Sequence, residues 1–348
     1  MKAAVFHSAG RPLSIEEVPD PIPRLTEILL QVKACGICGT DLHMSENVNP
    51  DGGWRLLKPG CILGHEFSGE IVEVGKDVSK DWQIGDRVTA LPWIGCGDCY
   101  VCKIGRPYRC DLAMMRGSLE LPGAYSEFCR IGSSEVIRLP DEVSHSLGAL
   151  IEPLAVGFSA VRRAEISGDE TILIIGSGPV GLSITMWCQF YGVKHILISD
   201  LVESRARAAL NLGADSMIIP KQGNEIEEIY DCVGELPSVI FDCVGALGSM
   251  QMAIDYILPG GKVIVVGLCM EKDYYFPAKA LLKEVDIRFS YVYCHDDFKL
   301  VADLLKRNQI NPRSLVSQTI NLLELPKVFE DLKVSSEQLK VMLNFGSL

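Results

Sequence analysis

Two cysteine-bearing stretches carry the first chemistry. Between Cys96 and Cys110, "CGDCYVCKIGRPYRC" sets four thiols in the spacing C-x2-C-x2-C-x7-C, in a loop rich in glycine and charge. Four soft ligands on short spacers match a closed tetrahedral zinc site, which staples a loop and leaves no position for water. Cys96, Cys99, Cys102 and Cys110 are therefore expected to hold a structural zinc. The second stretch, "KACGICGTDLHM" from Lys33 to Met44, contains Cys35, Cys38, Thr40, Asp41 and His43. Downstream, "GHEFSGEIVEVG" brings Gly64, His65 and Glu66 to the head of a strand-like run. Cys38 and His65 together read as a mixed sulfur and nitrogen pair for an open catalytic zinc, with water or substrate in the remaining position. Cys35, three residues before Cys38, is the competing thiol, since an isolated CxxC also suits redox work or another zinc knuckle.

A third signal concerns a nucleotide. Gly176, Gly178 and Gly181 in "ILIIGSGPVGL", with Pro179 and Val180 between the last two, directly follow an apolar strand and open a helix. Glycine permits the tight turn, close approach of the backbone to a pyrophosphate, and close packing of helix on strand, while the helix N-terminus offers free N–H groups. Asp200 ends the next strand, "HILISD", where a carboxylate bonds the adenosine ribose hydroxyls and repels the extra phosphate of NADP. NAD is the expected cofactor. Arg205 and Arg207 lie close by and could serve a phosphate, against the simpler reading of a solvated helix face.

These groups need two kinds of scaffold. Up to about residue 140 the chain shows short alternating or apolar runs such as "EILLQVKA", "SGEIVEVG", "DRVTALP" and "SEFCRI", punctuated by Gly, Pro and Asp. They predict a barrel-like antiparallel β domain with long loops. From Glu170 strands alternate with helix-length segments, which predicts a parallel sheet covered on both faces. "VDIRFSYVY" reads as a further strand and "DDFKLVADLLKRN" as a helix, while "KVMLNF" reads as a last strand returning to the first domain. The expected division is residues 1–150 as the catalytic domain with its cysteine lobe at 93–113, residues 151–290 as the nucleotide domain, and residues 291–348 as the return.

The 348 residues are 48% hydrophobic, enough for two ordinary cores. A formal net charge of -12, without a window dense in lysine and arginine, disfavours nucleic-acid and membrane-surface partners and favours a small molecule. The N-terminus turns polar too soon for a signal peptide, and no run is long enough to span a bilayer. Thirteen cysteines then point to reduced thiols or metal ligands and a cytoplasmic setting. Cys188, Cys232, Cys243 and Cys269 sit in apolar runs and are expected in the core.

"GHEFSGEIVEVGKDV" fits the pattern G-H-E-x2-G-x5-G-x2-V from Gly64 through Val78. With "CGICGTDLH" before it and the cysteine lobe and the glycine turn after it, the whole chain resembles a zinc-containing medium-chain dehydrogenase/reductase of the alcohol and polyol dehydrogenase type. The resemblance implies a GroES-like antiparallel β-barrel catalytic domain, an α/β Rossmann domain with a doubly wound parallel sheet, NAD, and two zinc ions per chain. It implies that Cys38 and His65 bind the catalytic zinc, that Glu66 is a third ligand or near-ligand, and that Glu152 in "ALIEPLAVG" takes the fourth position. Thr40 is then the hydroxyl that bonds the substrate alcohol, His43 the relay to solvent, and Asp41 a partner orienting a ligand.

Trp54, Trp93, Met115 and Tyr291 fall where the family lines its substrate pocket, with Met114 and Leu119 near the entrance. Val292 stands where sorbitol-type members carry an arginine for polyol hydroxyls. An apolar or cyclic secondary alcohol or ketone, or a short diol, is the expected substrate. A polyol or L-threonine dehydrogenase is the alternative within the scaffold, and a non-catalytic zinc-stabilised dinucleotide sensor is the alternative of another class. Kinship implies a homo-oligomer, a tetramer before a dimer.

Overall fold

The computed structural model describes residues 1–49, 56–220, 224–334 and 337–346. It divides into two compact units, one formed by Met1–Glu152 with Tyr293–Leu348 and the other by Pro153–Val292.

The first unit is built around the strand Glu27–Gly36, whose "EILLQVKACG" is buried along most of its length. It pairs antiparallel with Glu66–Val74, with Phe128–Gly132 and with Lys340–Asn344. Beyond these partners the sheet continues through Arg87–Ala90 and Val136–Arg138 on one side and Val316–Ile320 on the other. Alternating residues such as Ile28, Leu30, Val32, Phe67 and Ile71 are buried together in one core, as expected when one face of an antiparallel sheet packs inward. "KVMLNF" does return to this unit: Met342 stands opposite Gly36. A smaller sheet places Lys2–Phe6 between Ser14–Glu17 and Cys61–Ile62.

The second unit carries, among the described residues, a sheet of six parallel strands in the spatial order 3-2-1-4-5-6 of their succession along the chain. Its first strand, Thr171–Ile175, reads "TILII" and is buried at every position, the pattern of a strand covered on both faces. The helix Pro179–Phe190 follows it. At the turn between them Gly176 has φ 94°, and a Cβ on Gly181 would lie 1.9 Å from the Gly176 carbonyl oxygen. Gly176 thus holds a backbone conformation that favours glycine, and a side chain on Gly181 would move helix from strand.

Two expectations need correction. "VDIRFSYVY" forms a strand only over Asp286–Phe289, because the backbone turns at Val292, which holds φ 51°, before entering the first unit at Tyr293. Cys232 is exposed, not in the core, and Cys243 and Cys269 are half-buried. The helix Glu225–Val233 fully buries Ile229 and partly buries Val233 against the core, while Cys232 lies on its exposed side.

Candidate metal centres and nucleotide site

In the cysteine lobe, Cys99 precedes the helical turn Tyr100–Lys103 and Cys110 follows the 3-10 turn Pro107–Arg109. The four sulfurs of Cys96, Cys99, Cys102 and Cys110 lie within 4.8 Å of one another. Cys96 and Cys102 Sγ are 4.0 Å apart, too far for a disulfide and close to the edge of about 3.8 Å expected for a tetrahedron with Zn–S bonds of about 2.3 Å. The backbone N–H groups of Cys99 and Asp98 pull the Cys96 thiol down to about 6, so a thiolate ligand is available at neutral pH. Gly95 cannot carry a side chain, since its Cβ would sit 2.5 Å from Cys102 Sγ.

The second cluster follows from strand register. Gly36 faces Glu66 across the sheet, which brings Cys38, at the N-cap of the helix Gly39–Glu46, beside His65. One ligand atom each from Cys38, His65 and Glu66 falls within 4.8 Å of the others. Again a glycine is required, because a Cβ on Gly36 would come within 2.0 Å of Glu66 Oε2.

Asp41 supports this cluster from behind. Its Oδ1 is 3.1 Å from His65 Nδ1, and its Oδ2 accepts a 2.7 Å bond from the Tyr125 hydroxyl. The carboxylate therefore fixes the imidazole with Nε2 turned to the cluster. Burial opposes ionisation of Asp41, but the His65 ring, the Tyr125 hydroxyl and the Gly64 N–H hold its pKa low. Burial likewise opposes protonation of His65, yet Asp41 and Cys38 outweigh it and raise its pKa.

Glu66 and Glu152 occupy different environments. Both Glu66 oxygens accept from Lys340 Nζ, at 2.6 and 2.7 Å, and that ammonium also donates to the Ile37 carbonyl at 2.9 Å. Glu152, in the first turn of Ile151–Ala164, is outside the three-residue cluster. Its Oε1 accepts a 2.6 Å bond from the Tyr293 hydroxyl, and burial above all pushes its pKa up to about 7. Cys38, Glu66 and Glu152 thus concentrate acidic groups around the Lys340 ammonium, with Asp41 behind His65, and the cluster's thiol, imidazole and carboxylate are the donor set that zinc prefers. The residues fit a zinc ion. Cys35 is excluded from the cluster: it is buried in the sheet, burial drives its pKa up, and its thiol turns to the Gly36 carbonyl.

Thr40 is half-buried in the first turn after Cys38, and His43 is exposed on the same helix. Trp93 is buried, its ring centroid 5.9 Å from those of both Tyr108 and Tyr293. Met115 pairs with it across a two-residue ladder. Tyr291 is half exposed and belongs to the second unit, and Trp54 lies outside the described residues.

In the second unit Gly178 caps the helix Pro179–Phe190, with Val180 and Gly181 in its first turn. A Cβ on Gly178 would meet open space, so its role is not steric exclusion within the fold. Asp200 follows the strand His195–Ser199 and is already engaged. Its Oδ2 accepts from the Ser177 N–H and hydroxyl at 2.8 and 2.7 Å, and its Oδ1 from the Val202 N–H at 2.8 Å. Arg205 is half-buried on the helix Glu203–Leu210, with a buried Nε that has no hydrogen-bond partner. Arg207 makes an ion pair with Glu203 at the surface.

Sequence reasoning missed four supporting residues. Lys340 sits inside an apolar run, and a lysine in such a run was the available signal. Tyr125 and Tyr293 carry no local signal. Ser177 fills a variable position of the glycine motif.

The comparisons agree with this geometry. Residues 24–141 match the alcohol dehydrogenase GroES-like domain and residues 179–307 the zinc-binding dehydrogenase domain. The sorbitol dehydrogenase of Bacillus subtilis (strain 168) is 33% identical over 99% of this chain and 97% of its own. Among solved structures, 2R,3R-butanediol dehydrogenase from Bacillus subtilis superposes with a TM-score of 0.86 at 28% identity, over 99% of both chains. An alcohol dehydrogenase (rspB) from E. coli CFT073, complexed with NADH, does so with a TM-score of 0.88 at 27% identity, over 99% of both chains.

The chain belongs to the zinc-binding dehydrogenases of the medium-chain alcohol dehydrogenase type. It is an oxidoreductase acting on CH–OH groups with zinc and a nicotinamide cofactor.

Proposed function

We propose that this protein oxidises a secondary alcohol to a ketone, reversibly, with NAD, at a zinc centre made by Cys38, His65 and Glu66. The observation that carries the reading is the convergence of those three ligand atoms within 4.8 Å, backed by the Asp41 bonds to His65 and Tyr125. When bound, zinc supplies a Lewis acid that eases loss of the substrate hydroxyl proton, and the nicotinamide ring accepts the hydride. Cys38 and His65 bind; Asp41 and Tyr125 hold the His65 tautomer; Lys340 limits the negative charge that Glu66 brings. Thr40 takes the hydroxyl proton, and His43, one helical turn on, passes it to solvent.

Gly176, Gly178, Pro179, Val180 and Gly181 cradle the pyrophosphate, and Asp200, pre-oriented by Ser177 and Val202, bonds the ribose and disfavours NADP. Arg205 offers its unpartnered Nε nearby. The four-cysteine lobe holds a second zinc, giving two per chain. Trp93 and Met115 favour an apolar, cyclic or short-diol substrate, with Tyr291 and Trp54 as further pocket residues. The resemblance to a sorbitol dehydrogenase supports polyol oxidation as a second reading, against which Val292 removes an arginine partner for hydroxyls.

The assembly is a homo-oligomer, tetrameric before dimeric. Asp286–Phe289 is the outer strand of its sheet, with Phe289 65% exposed and Leu282 nearby at 84%, an edge suited to pairing with a second copy. Among the described residues no helix is long and apolar enough to cross a membrane. The thirteen free cysteines support a reducing, cytoplasmic setting.

The test is NADH formation across apolar secondary alcohols, diols, sugar alcohols and threonine, with NADP in parallel and each repeated after chelation. Chelator-sensitive turnover of apolar alcohols with NAD is expected. Turnover confined to polyols or threonine would replace the substrate class, preference for NADP would overturn the role of Asp200, and silence from zinc-loaded protein that still binds NADH would favour a sensor.

A further inference from the structure

Glu152 is the last residue of the first unit before the chain enters the second, and Tyr293 is the first after it returns. These two residues, 141 apart in sequence, are joined by the 2.6 Å bond from the Tyr293 hydroxyl to Glu152 Oε1. The phenol is held firmly. Its ring centroid lies 4.7 Å from that of Phe298 and 5.9 Å from that of Trp93, and Tyr293 and Phe298 are 1% and 0% exposed. The preceding Val292 keeps a left-handed backbone at φ 51°, a conformation that a β-branched residue retains only where its surroundings enforce it.

The two glutamates near the metal centre are therefore restrained by different means. Glu66 is held by an ammonium, so it reaches the cluster with its charge largely balanced. Glu152 is held by a neutral phenol. If Glu152 joined the metal together with Cys38, His65 and Glu66, four protein groups would fill a tetrahedral ion and leave no place for a substrate oxygen.

We propose that Tyr293 is a positioning residue whose hydroxyl keeps the Glu152 carboxylate out of the metal's ligand shell and so preserves the open position. This rests on the reading of Cys38, His65 and Glu66 as the catalytic metal centre. Removing the hydroxyl frees a buried carboxylate beside a cation, and binding that cation is the way to satisfy it.

The experiment uses full-length protein loaded with zinc, or with cobalt(II) at the catalytic centre, and compares wild type, Tyr293→Phe, Glu152→Gln and the double variant. The readouts are zinc affinity by chelator competition and the visible cobalt absorption. Tyr293→Phe is expected to bind zinc about tenfold or more tightly and to change the cobalt spectrum as an oxygen ligand is added. Glu152→Gln alone is expected to match wild type in zinc affinity, and the double variant is expected to return to it.

An unchanged affinity and spectrum in Tyr293→Phe overturns the inference while leaving the metal centre standing. So does a tenfold loss of affinity in Glu152→Gln, which would make Glu152 a ligand already. Should Tyr293→Phe fail to fold, Glu152→Gln decides alone. If wild type takes up only the metal of the four-cysteine lobe, and Cys38→Ser changes neither readout, the metal-centre reading fails and this inference with it.

Discussion

At the residue scale the cluster of Cys38, His65 and Glu66 is stabilised by balances that single substitutions upset. Lys340 and Glu66 are both buried and joined through both carboxylate oxygens. Lys340→Met leaves that carboxylate buried without its partner, a situation that costs about 3–5 kcal/mol. Chelated Lys340→Met protein is expected to show this loss in urea unfolding. Glu135 offers a test by pH. Burial raises its pKa to about 7 from an ordinary 4.5, against the bond its Oε1 accepts from the Gly95 N–H. The folded chain then binds this proton more tightly than the unfolded one, so the group's contribution is complete below pH 4.5 and is lost as pH rises through about 7. Glu135→Gln keeps the bond and removes the titration, and its stability relative to wild type should grow by about 2 kcal/mol between pH 5.5 and 8. That Cys38 and His65 come together in one cluster was legible because their motifs are local. Lys340 was not, because its partner lies 274 residues away and nothing in "LKVMLNF" names an acid. Glu152, expected at the fourth zinc position, lies outside the cluster of three and is bonded to Tyr293, a partner that no local motif announces.

At the scale of elements, the chemistry depends on close approaches that sequence patterns encode as glycine. Gly181→Ala places a Cβ 1.9 Å from the Gly176 carbonyl oxygen, so the helix Pro179–Phe190 must lift from the strand Thr171–Ile175. NADH binding, followed by fluorescence, is expected to weaken at least tenfold, while zinc content stays at the wild-type value. The parallel sheet was readable because strands covered on both faces are continuously apolar, as "TILII" and "HILIS" are. The end of the strand Asp286–Phe289 was not readable: "FSYVY" has full strand character, and only the left-handed turn at Val292 breaks it. Periodicity records which residues suit a strand, and it does not record where tertiary structure bends one. Cys232 failed for a related reason, since an apolar neighbourhood in sequence does not say which side of a helix faces solvent.

At the scale of the whole molecule, the exposed edge Asp286–Phe289 and the path of the chain have separate consequences. Phe289→Glu replaces the exposed aromatic of that edge with a charge, and if the proposed assembly pairs there, light scattering reports a smaller particle than wild type. The path of the chain bears on how the protein is made. The strand Lys340–Asn344 is inserted between Glu27–Gly36 and Val316–Ile320, so one partner of Glu27–Gly36 comes from residues translated after the whole second unit. All of Pro153–Val292 has been translated by then. At roughly 5–20 residues per second, the 274 residues from Glu66 to Lys340 take about 14–55 s to make. The nucleotide unit can therefore fold on the ribosome while Glu27–Gly36 still lacks one of its partners. The ammonium that balances Glu66 is translated after every other residue of the cluster and its supports, so Glu66 waits for its counter-charge until the second unit has been made.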